Sequence, residues 1–146
     1  MFKKLLSADP IYPETAIALV RITTGLFMIY HGWEVFDNIK MAEYAKWMKD
    51  LGLPSPSFIS YIGKGIELVS GIFLFLGLFT RLAVIPLACT MAFICFGIGK
   101  GRIFYEEQHP FMFILLAFLF FFTGPGKWSF DNLFFSKIKA GAQINK

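Results

Sequence analysis

The segment FISYIGKGIELVSGIFLFLGLF, residues 58 to 79, decides the fold of this chain. It is long enough to cross a bilayer, because about 20 apolar residues in a helix span about 30 Å of hydrocarbon. Lys64 and Glu67 lie within it, and ionisable groups at membrane depth cost about 2.5–3.5 kcal/mol each on insertion. Such groups usually face a partner, a cavity or a ligand rather than lipid. The segment therefore predicts a membrane-spanning helix with a polar centre inside the protein.

The composition of the whole chain also indicates a membrane protein. Of its 146 residues, 56% are hydrophobic and only 16% are charged, whereas about a quarter of the residues in soluble chains are charged. The net charge of +4 does not indicate a nucleic-acid partner, since the basic residues lie at segment ends, where they orient the protein in the lipid bilayer. The length accommodates one compact helical bundle and no second domain.

Four apolar segments predict four membrane spans, at about residues 14–36, 57–80, 81–98 and 110–124. Proline stands near the start of the first span and Gly-Pro-Gly, residues 124–126, closes the last, as the preferences of helix ends predict. The predicted fold is an all-α integral membrane four-helix bundle, formed by residues 1–136 as one domain. Residues 137–146 are expected to form a mobile cytoplasmic tail.

The residues between the first two spans predict a short helix at the membrane surface. From Met41 to Leu51 the apolar residues recur at helical spacing, and the charged residues fall largely on the other side. An amphipathic helix of this kind lies in the interface, with Trp47 at the level of the lipid headgroups. The alternative is a plain linking loop.

Four spans place both termini on the same side of the membrane. That side holds an excess of basic residues: Lys3, Lys4, Arg81, Lys127, Lys137, Lys139 and Lys146, against Asp9, Glu14 and Asp131. The loops on the other side show no such excess. Because cytoplasmic segments are enriched in Lys and Arg, both termini are predicted to be cytoplasmic.

The ionisable residues within the spans predict a polar, ligand-binding site inside the bundle. A rise of about 1.5 Å per residue places Glu67 between Arg21 and His31 in depth, and Lys64 near His31. Lys64 and Glu67 lie three residues apart on one helix and can pair directly. The long side chain of Arg21 can also reach toward Glu67. Two alternatives remain for an Arg21–Glu67 ion pair: it only holds the two helices together, or it also binds a ligand.

A second polar set is expected where the first and last spans reach the outer surface. It comprises Glu34, Glu106 and His109. Histidines and carboxylates can hold a metal, but the spacing of this set matches no defined metal-site signature. We therefore predict no metal site.

Two further pairs of residues bear on the packing of the helices. Gly25 and Gly32 lie near Arg21 on the first span, where they leave space for a neighbouring helix or a small ligand. Cys89 and Cys95 lie on one apolar helix and point about 120° apart. We expect them to be buried structural thiols rather than a disulfide or a redox pair.

Three groups of motifs, in order along the chain, resemble those of the DoxX family. They are Arg21-Ile22 with Thr24-Gly25-Leu26-Phe27 and Tyr30-His31-Gly32-Trp33, then Glu67-Leu68 with Gly71 and LGLFTRLA at residues 76–83, and GPGKWSFD at residues 124–131. The resemblance implies a four-helix protein of the bacterial inner membrane. It also implies an association with redox complexes, such as a thiosulfate:quinone oxidoreductase or enzymes that detoxify thiols and superoxide. More distant relatives resemble cargo receptors and receptor-assembly chaperones, and the family supplies no established catalytic residue.

Three hypotheses for the function follow. The first is a small subunit of a redox-linked membrane complex, with a quinone or lipid-like ligand near Arg21, His31 and Glu67 and the catalytic cofactor on a soluble or membrane oxidoreductase partner. The second is a non-enzymatic assembly or cargo factor that binds clients through its helices and residues 41–51. The third is a small-solute transporter, which would require a homo-oligomer. The chain has no stand-alone catalytic motif and no cofactor motif, so the sequence leaves open whether it is part of an enzyme.

Overall fold

A computed structural model describes residues 9–134 of the chain, and this part is helical with no strand. The elements are α1 (Pro13–Gly32), a 3-10 turn (Trp33–Phe36), α2 (Asn38–Asp50), α3 (Pro56–Leu76), α4 (Thr80–Ala92), a π-helical continuation of α4 (Phe93–Ile98) and α5 (Gln108–Thr123). The predicted mobile tail at residues 137–146 lies outside the described residues.

The helices α1, α3, α4 and α5 form an antiparallel four-helix bundle, which confirms the predicted fold class. Helix α1 packs mainly against α3, α4 packs against α3 and α5, and α2 packs on α3. Within the described part of the chain, three segments are long and apolar enough to cross a membrane: Pro13–Phe36, Pro56–Leu76 and Thr80–Ile98. Helix α5 is apolar but has only 16 residues. We call the end of the bundle where α3 and α5 terminate the Arg21 end, and the opposite end the His31 end.

The second span ends earlier than predicted, at Leu76 rather than at Thr80. Gly77 follows in the left-handed conformation with φ of 65°, which glycine adopts without steric cost and which commonly terminates a helix. Thr80 instead begins α4. The carboxylate of Asp131 caps this start, because it accepts hydrogen bonds from the backbone N–H groups of Phe79 at 2.7 Å and Thr80 at 2.9 Å.

The predicted surface helix is confirmed as a helix, and it begins three residues earlier than expected. Asp37 explains the start, since its Oδ1 accepts hydrogen bonds from the N–H groups of Ile39 at 3.0 Å and Lys40 at 3.2 Å. A side-chain oxygen at this position satisfies donors that the first helical turn leaves unpaired. One face of α2 is held against the bundle, because Met41 is completely buried.

Glycines bring α1 and α3 into backbone contact. A Cβ atom added to Gly32 would lie 2.3 Å from the backbone nitrogen of Leu68, and one on Gly25 would lie 2.5 Å from that of Phe75. Gly71 returns the contact from α3, where an added Cβ would lie 2.7 Å from the nitrogen of Ile29. The space beside Gly25 and Gly32, which the sequence left open for a neighbouring helix or a small ligand, is therefore occupied by helix α3.

The core joins α1, α3, α4 and α5 through buried apolar side chains, and most other large apolar side chains face outward. The core includes Met28, Leu74, Leu87, Phe113 and Phe120. Of the two cysteines, Cys95 is buried in this core, whereas Cys89 is exposed on α4, so the expectation that both are buried is wrong for Cys89. Helix α4 is apolar on every side, so the periodicity of its sequence does not show which residues face the core and which face outward. Cys89 lies on the outward side.

Candidate functional site

Arg21 is fully buried at the Arg21 end, and within residues 9–134 its hydrogen-bond partners are backbone carbonyl groups. Its Nη1 donates to the carbonyls of Leu74 and of Phe75, the latter at 3.1 Å. Its Nε donates to Pro125 at 2.7 Å, and its Nη2 donates to Trp128 at 2.9 Å and Lys127 at 3.4 Å. A guanidinium has five N–H donors, so these five carbonyls use all of them.

The expected Arg21–Glu67 ion pair is therefore wrong, because the donors of Arg21 are directed to these carbonyl groups. Leu74 and Phe75 lie in the last turn of α3, where carbonyl groups lack helical partners and carry partial negative charge. Those carbonyls lie at the same end of the bundle as Arg21, and their partial negative charge compensates the charge of its guanidinium group. Arg21 is a structural residue that joins α1, the end of α3 and the segment after α5.

The segment after α5 folds back over the Arg21 end and completes this arrangement. The N–H of Lys127 donates to the carbonyl of Glu14 at 3.0 Å, and the N–H of Asp131 donates to that of Gly77 at 2.9 Å. The side-chain amide of Asn132 donates to the carbonyl of Gly126 at 2.7 Å. The sequence motif at residues 124–131 thus has a structural role, because it supplies three of the carbonyls that bind Arg21.

At the His31 end, Lys64 lies between two carboxylates. Its Nζ is 3.1 Å from Oε2 of Glu67 and 3.0 Å from Oε2 of Glu34. It also donates to the carbonyl of His31 at 3.4 Å and lies 4.9 Å from the centre of the Tyr44 ring. The predicted Lys64–Glu67 pair is confirmed, and Glu34, which was assigned to a separate polar set, belongs to the same network.

Glu34 also ties α2 to this network. Its Oε1 lies 2.6 Å from Nζ of Lys40, and its Oε2 accepts a hydrogen bond from the hydroxyl of Tyr44 at 2.7 Å. Burial, together with the hydrogen bond to Glu34, raises the pKa of Tyr44 to about 12. Tyr44 therefore stays protonated and remains a hydrogen-bond donor throughout the physiological pH range.

A cavity of about 230 Å³ lies beside this network, lined by residues of α1, α2, α3, α4 and the start of α5. Its ionisable lining residues are His31, Tyr44, Lys64, Glu67 and His109. The rings of His31 and His109 meet edge to face, with their centroids 5.3 Å apart. The remaining walls are mostly apolar. Such a cavity, apolar with a few convergent polar groups, has the character of a small-molecule site.

The π-helical segment Phe93–Ile98 forms one wall of the cavity, to which Phe93, Ile94 and Ile98 contribute. Helix α2 forms another wall, with Tyr44, Trp47 and Met48. π-Helical turns are rare and are found frequently at functional sites. Tyr44 is not among the site residues predicted from the sequence. It lies on the apolar face of the predicted amphipathic helix, and this position indicates a side chain that faces the bundle.

The structure therefore brings most of the two predicted polar sets together and places two of their residues elsewhere. His31, Lys64, Glu67 and His109 line one cavity, and Glu34 binds Lys64 behind it. Arg21 lies at the other end, and Glu106 is exposed, where it pairs with Arg102. Within residues 9–134, no group of three or more His, Cys, Asp or Glu side chains is placed to hold a metal ion.

The neighbouring Glu107 is buried and holds the loop before α5. Its Oε1 accepts a hydrogen bond from the N–H of Lys100 at 2.9 Å. This hydrogen bond is the main cause of a lowered pKa for Glu107, and burial opposes it. Glu107 anchors the loop and does not line the cavity.

Comparisons with known proteins agree with the resemblance noted in the sequence. The family model of DoxX matches residues 16–99. A protein of Haemophilus influenzae named "Uncharacterized protein" is 31% identical over 133 residues, which cover 86% of this chain and 96% of that protein. "Uncharacterized membrane protein Rv3486" of Mycobacterium tuberculosis is 26% identical over 150 aligned positions, which cover 86% of this chain and 90% of that protein.

One further relative has a name that refers to an activity. "Putative oxidoreductase CatD" of Bacillus subtilis is 33% identical over 78 residues, which cover 53% of this chain and 55% of that protein. No solved structure matches the chain.

Proposed function

Because this membrane protein belongs to the DoxX family, we propose that it is a small subunit of a redox-linked membrane complex and binds a quinone ring in the cavity at its His31 end. The complex would contain a soluble or membrane oxidoreductase that carries the second redox centre. The name of CatD supports an oxidoreductase setting for relatives of this chain.

The observation that carries the proposal is the position of Lys64 between Glu34 and Glu67 beside the cavity. Three charged groups within a span region are expensive to keep in a membrane protein. Neither carboxylate is needed to neutralise Arg21, which binds carbonyl groups at the other end. Ionisable residues that line an internal cavity in a membrane are therefore assigned to ligand binding or proton transfer.

The cavity fits a single quinone ring. Its volume of about 230 Å³ exceeds the roughly 150 Å³ of an engineered apolar cavity that binds benzene. His31 and His109 offer N–H donors for the ring oxygens, and apolar side chains such as Met28 and Ile94 offer surfaces for its faces. A bound quinone supplies electron transfer that is coupled to proton uptake and release.

The residues of this chain would bind and orient the ring. His31 and His109 would orient it through hydrogen bonds to its oxygens. Lys64, bound to two carboxylates, would keep the charge beside the ring compensated. The electrons would come from or pass to the partner oxidoreductase.

We also propose that the protein lies in the bacterial cytoplasmic membrane with both termini in the cytoplasm. Arg81 and Lys127 lie at the Arg21 end, and the sequence adds lysines near both termini. The relatives reported above are bacterial. Fusions of a reporter that is active only in the cytoplasm test this orientation. The reporter should be active at the C-terminus and inactive in the loop after Ile98.

Quenching of Trp47 fluorescence by a quinone tests the proposed function. Trp47 lines the cavity, so Trp33 and Trp128 are first replaced by Phe to leave it as the single tryptophan. Titration of the purified protein in nanodiscs with a tail-less dimethoxy-methyl-benzoquinone should give saturable quenching. Glu67→Gln should weaken binding by about fivefold or more, because Lys64 loses one of its two carboxylate partners and the polar wall of the cavity is rearranged.

The matched control is Glu106→Gln, which makes the same chemical change at an exposed residue outside the cavity. It should leave the dissociation constant within about twofold, as is usual for surface substitutions. Non-saturable quenching, or equal affinity in wild type and Glu67→Gln, contradicts the proposal. Native mass spectrometry of the detergent-extracted complex then tests the partner, by detecting an oxidoreductase bound to this chain.

A further inference from the structure

A groove of about 860 Å³ runs along the outside of the bundle between α1 and α5. These two helices make few contacts with each other, so the gap between them is open to the surroundings. Its walls are formed mainly by apolar side chains, among them Val20 and Phe27 of α1 and Met112 and Leu116 of α5. The hydroxyl of Thr24 donates to the carbonyl of Val20 at 2.7 Å and presents no free donor.

The groove and the cavity share two residues. His31 and His109 line both of them, and their rings, 5.3 Å apart between centroids, separate the two spaces. Phe113 supports His109 from the groove side, at 4.9 Å between ring centroids. The partition between the groove and the cavity thus consists of side-chain rings, which can turn about their bonds without any change in the backbone.

We infer that the ligand of the cavity carries a hydrocarbon tail, that the tail lies in this groove, and that the head group enters from the membrane between His31 and His109. The inference rests on the proposed function, since it assigns a tail and an entry route to the ligand of the same site. The occupant of the groove is therefore part of a lipophilic quinone and not another helix or a second copy of the chain.

Continuity with the cavity is the reason for this choice. Exposed apolar side chains by themselves are ordinary on a helix that faces lipid, because lipid tails are as apolar as the side chains. This groove differs because it leads to ionisable groups at one end. Along α1 it extends from Leu19 to Tyr30, about 16 Å at 1.5 Å per residue, which is about half the thickness of the hydrocarbon core.

The approach from the His31 end is covered by α2. Met41 is completely buried, and Lys40 and Tyr44 bind Glu34 at 2.6 and 2.7 Å. The side chain of Trp47 lies over the cavity as one of its walls. Helix α2 thus lies across the cavity on its aqueous side, whereas on the side of α1 and α5 the residues between the cavity and the groove are the two histidines.

Narrowing the groove tests the inference, with two quinones that share one ring. Leu116→Phe and, separately, Thr23→Phe add bulk to opposite walls of the groove. Leu115→Phe is the matched control, since Leu115 is exposed on the same helix and does not line the groove. Affinities for a tail-less benzoquinone and for the same ring with a decyl tail are measured by Trp47 quenching in nanodiscs, per mole of lipid.

Both groove variants should weaken the decyl quinone by about tenfold, because added bulk in a filled space has a cost of this order. The tail-less quinone should bind within about twofold of wild type in the same variants, which also shows that they fold. The control should change neither affinity. Thr23 is exposed, so its replacement provides a result even where Leu116→Phe disturbs the core.

The outcomes separate the inference from the proposed function. If wild type binds the tail-less ring but not the decyl quinone, or if neither groove variant affects the decyl quinone, the inference is overturned and the proposed function stands. If wild type binds neither quinone, both are overturned. A decyl quinone with a photoreactive group at the tail end gives a second measurement, since it should label α1 and α5 and not α2.

Discussion

The carboxylate of Glu34 lies 3.0 Å from the ammonium group of Lys64, which joins the segment after α1 to the middle turns of α3. Lys64 also lies 3.1 Å from Glu67 on its own helix. The ammonium group thus has one partner that is local in sequence and one that is not. The carboxylate of Glu34 also binds Lys40 and Tyr44 of α2, and it therefore holds α2 against the bundle.

Lys64→Met should destabilise the protein more than Glu67→Gln does. The first change leaves two carboxylates without their shared partner, and breaking a partly buried pair in this way costs about 3–5 kcal/mol. The double variant should lose less stability than the sum of the single variants, with a coupling of about 1–3 kcal/mol. Thermal unfolding of the four proteins in one detergent measures the cycle, and strictly additive losses would contradict a direct Lys64–Glu67 interaction.

Arg21→Lys should be strongly destabilising although the charge is retained. An ammonium group has three donors, so at least two of the five carbonyls that bind Arg21 lose their partner, at about 1–3 kcal/mol for each buried group. The control is Arg81→Lys at the same end, where the exposed side chain donates to the carbonyl of Phe121 at 3.0 Å. Folded Arg21→Lys protein should bind the tail-less quinone like wild type, and a large loss of affinity would assign Arg21 to the ligand site.

Gly32→Ala should separate α1 from α3, because the added Cβ would lie 2.3 Å from the backbone nitrogen of Leu68. The free energy of unfolding should fall by about 1–3 kcal/mol, which is typical of overpacking, and the melting temperature should fall with it. Gly65→Ala is the matched control within α3, where an added Cβ would have no neighbour within 4 Å. There alanine should stabilise the helix by about 0.5–1 kcal/mol, so the two glycine substitutions should shift the melting temperature in opposite directions.

Glu107 should make stability depend on pH in the acid range. The hydrogen bond from the N–H of Lys100 lowers its pKa in the folded protein below the ordinary value of 4.5. A carboxyl group with a lowered pKa contributes stability above its unfolded pKa, and that contribution is lost as the pH falls through the folded pKa. Melting temperatures from pH 7 to below pH 4 should therefore fall more steeply for wild type than for Glu107→Gln, while Glu106→Gln follows wild type.

Local features of the fold were predictable from the sequence. The four apolar segments appear as α1, α3, α4 and α5, and the amphipathic pattern from Met41 to Leu51 appears within α2. The Lys64–Glu67 pair was also predictable, because residues three apart on a helix are neighbours whatever else the helix contacts. The early end of the second span at Leu76 was available in principle from Gly77, since glycine after an apolar run commonly terminates a helix.

The arrangement of the polar groups between helices was not predictable in the same way. Depth along the membrane correctly placed Lys64 near His31, and it also placed Arg21 within reach of Glu67, where it does not bind. The depth estimate leaves out how each helix is rotated, and it leaves out the carbonyl groups of the segment after α5. Those carbonyls, with the last turn of α3, take every donor of Arg21.

The sequence by itself determined that this is an apolar, all-helical chain with costly charges inside its spans, because length, hydropathy and helical spacing depend only on neighbouring residues. Only the tertiary structure decided which of those charges share a site. The contacts of Gly25 and Gly32 with α3 set the register between helices, and a rotation of one residue turns a side chain by about 100°. That register brings Glu34 to Lys64 and leaves Arg21 at the other end, while the packing of α5 brings His109 to His31.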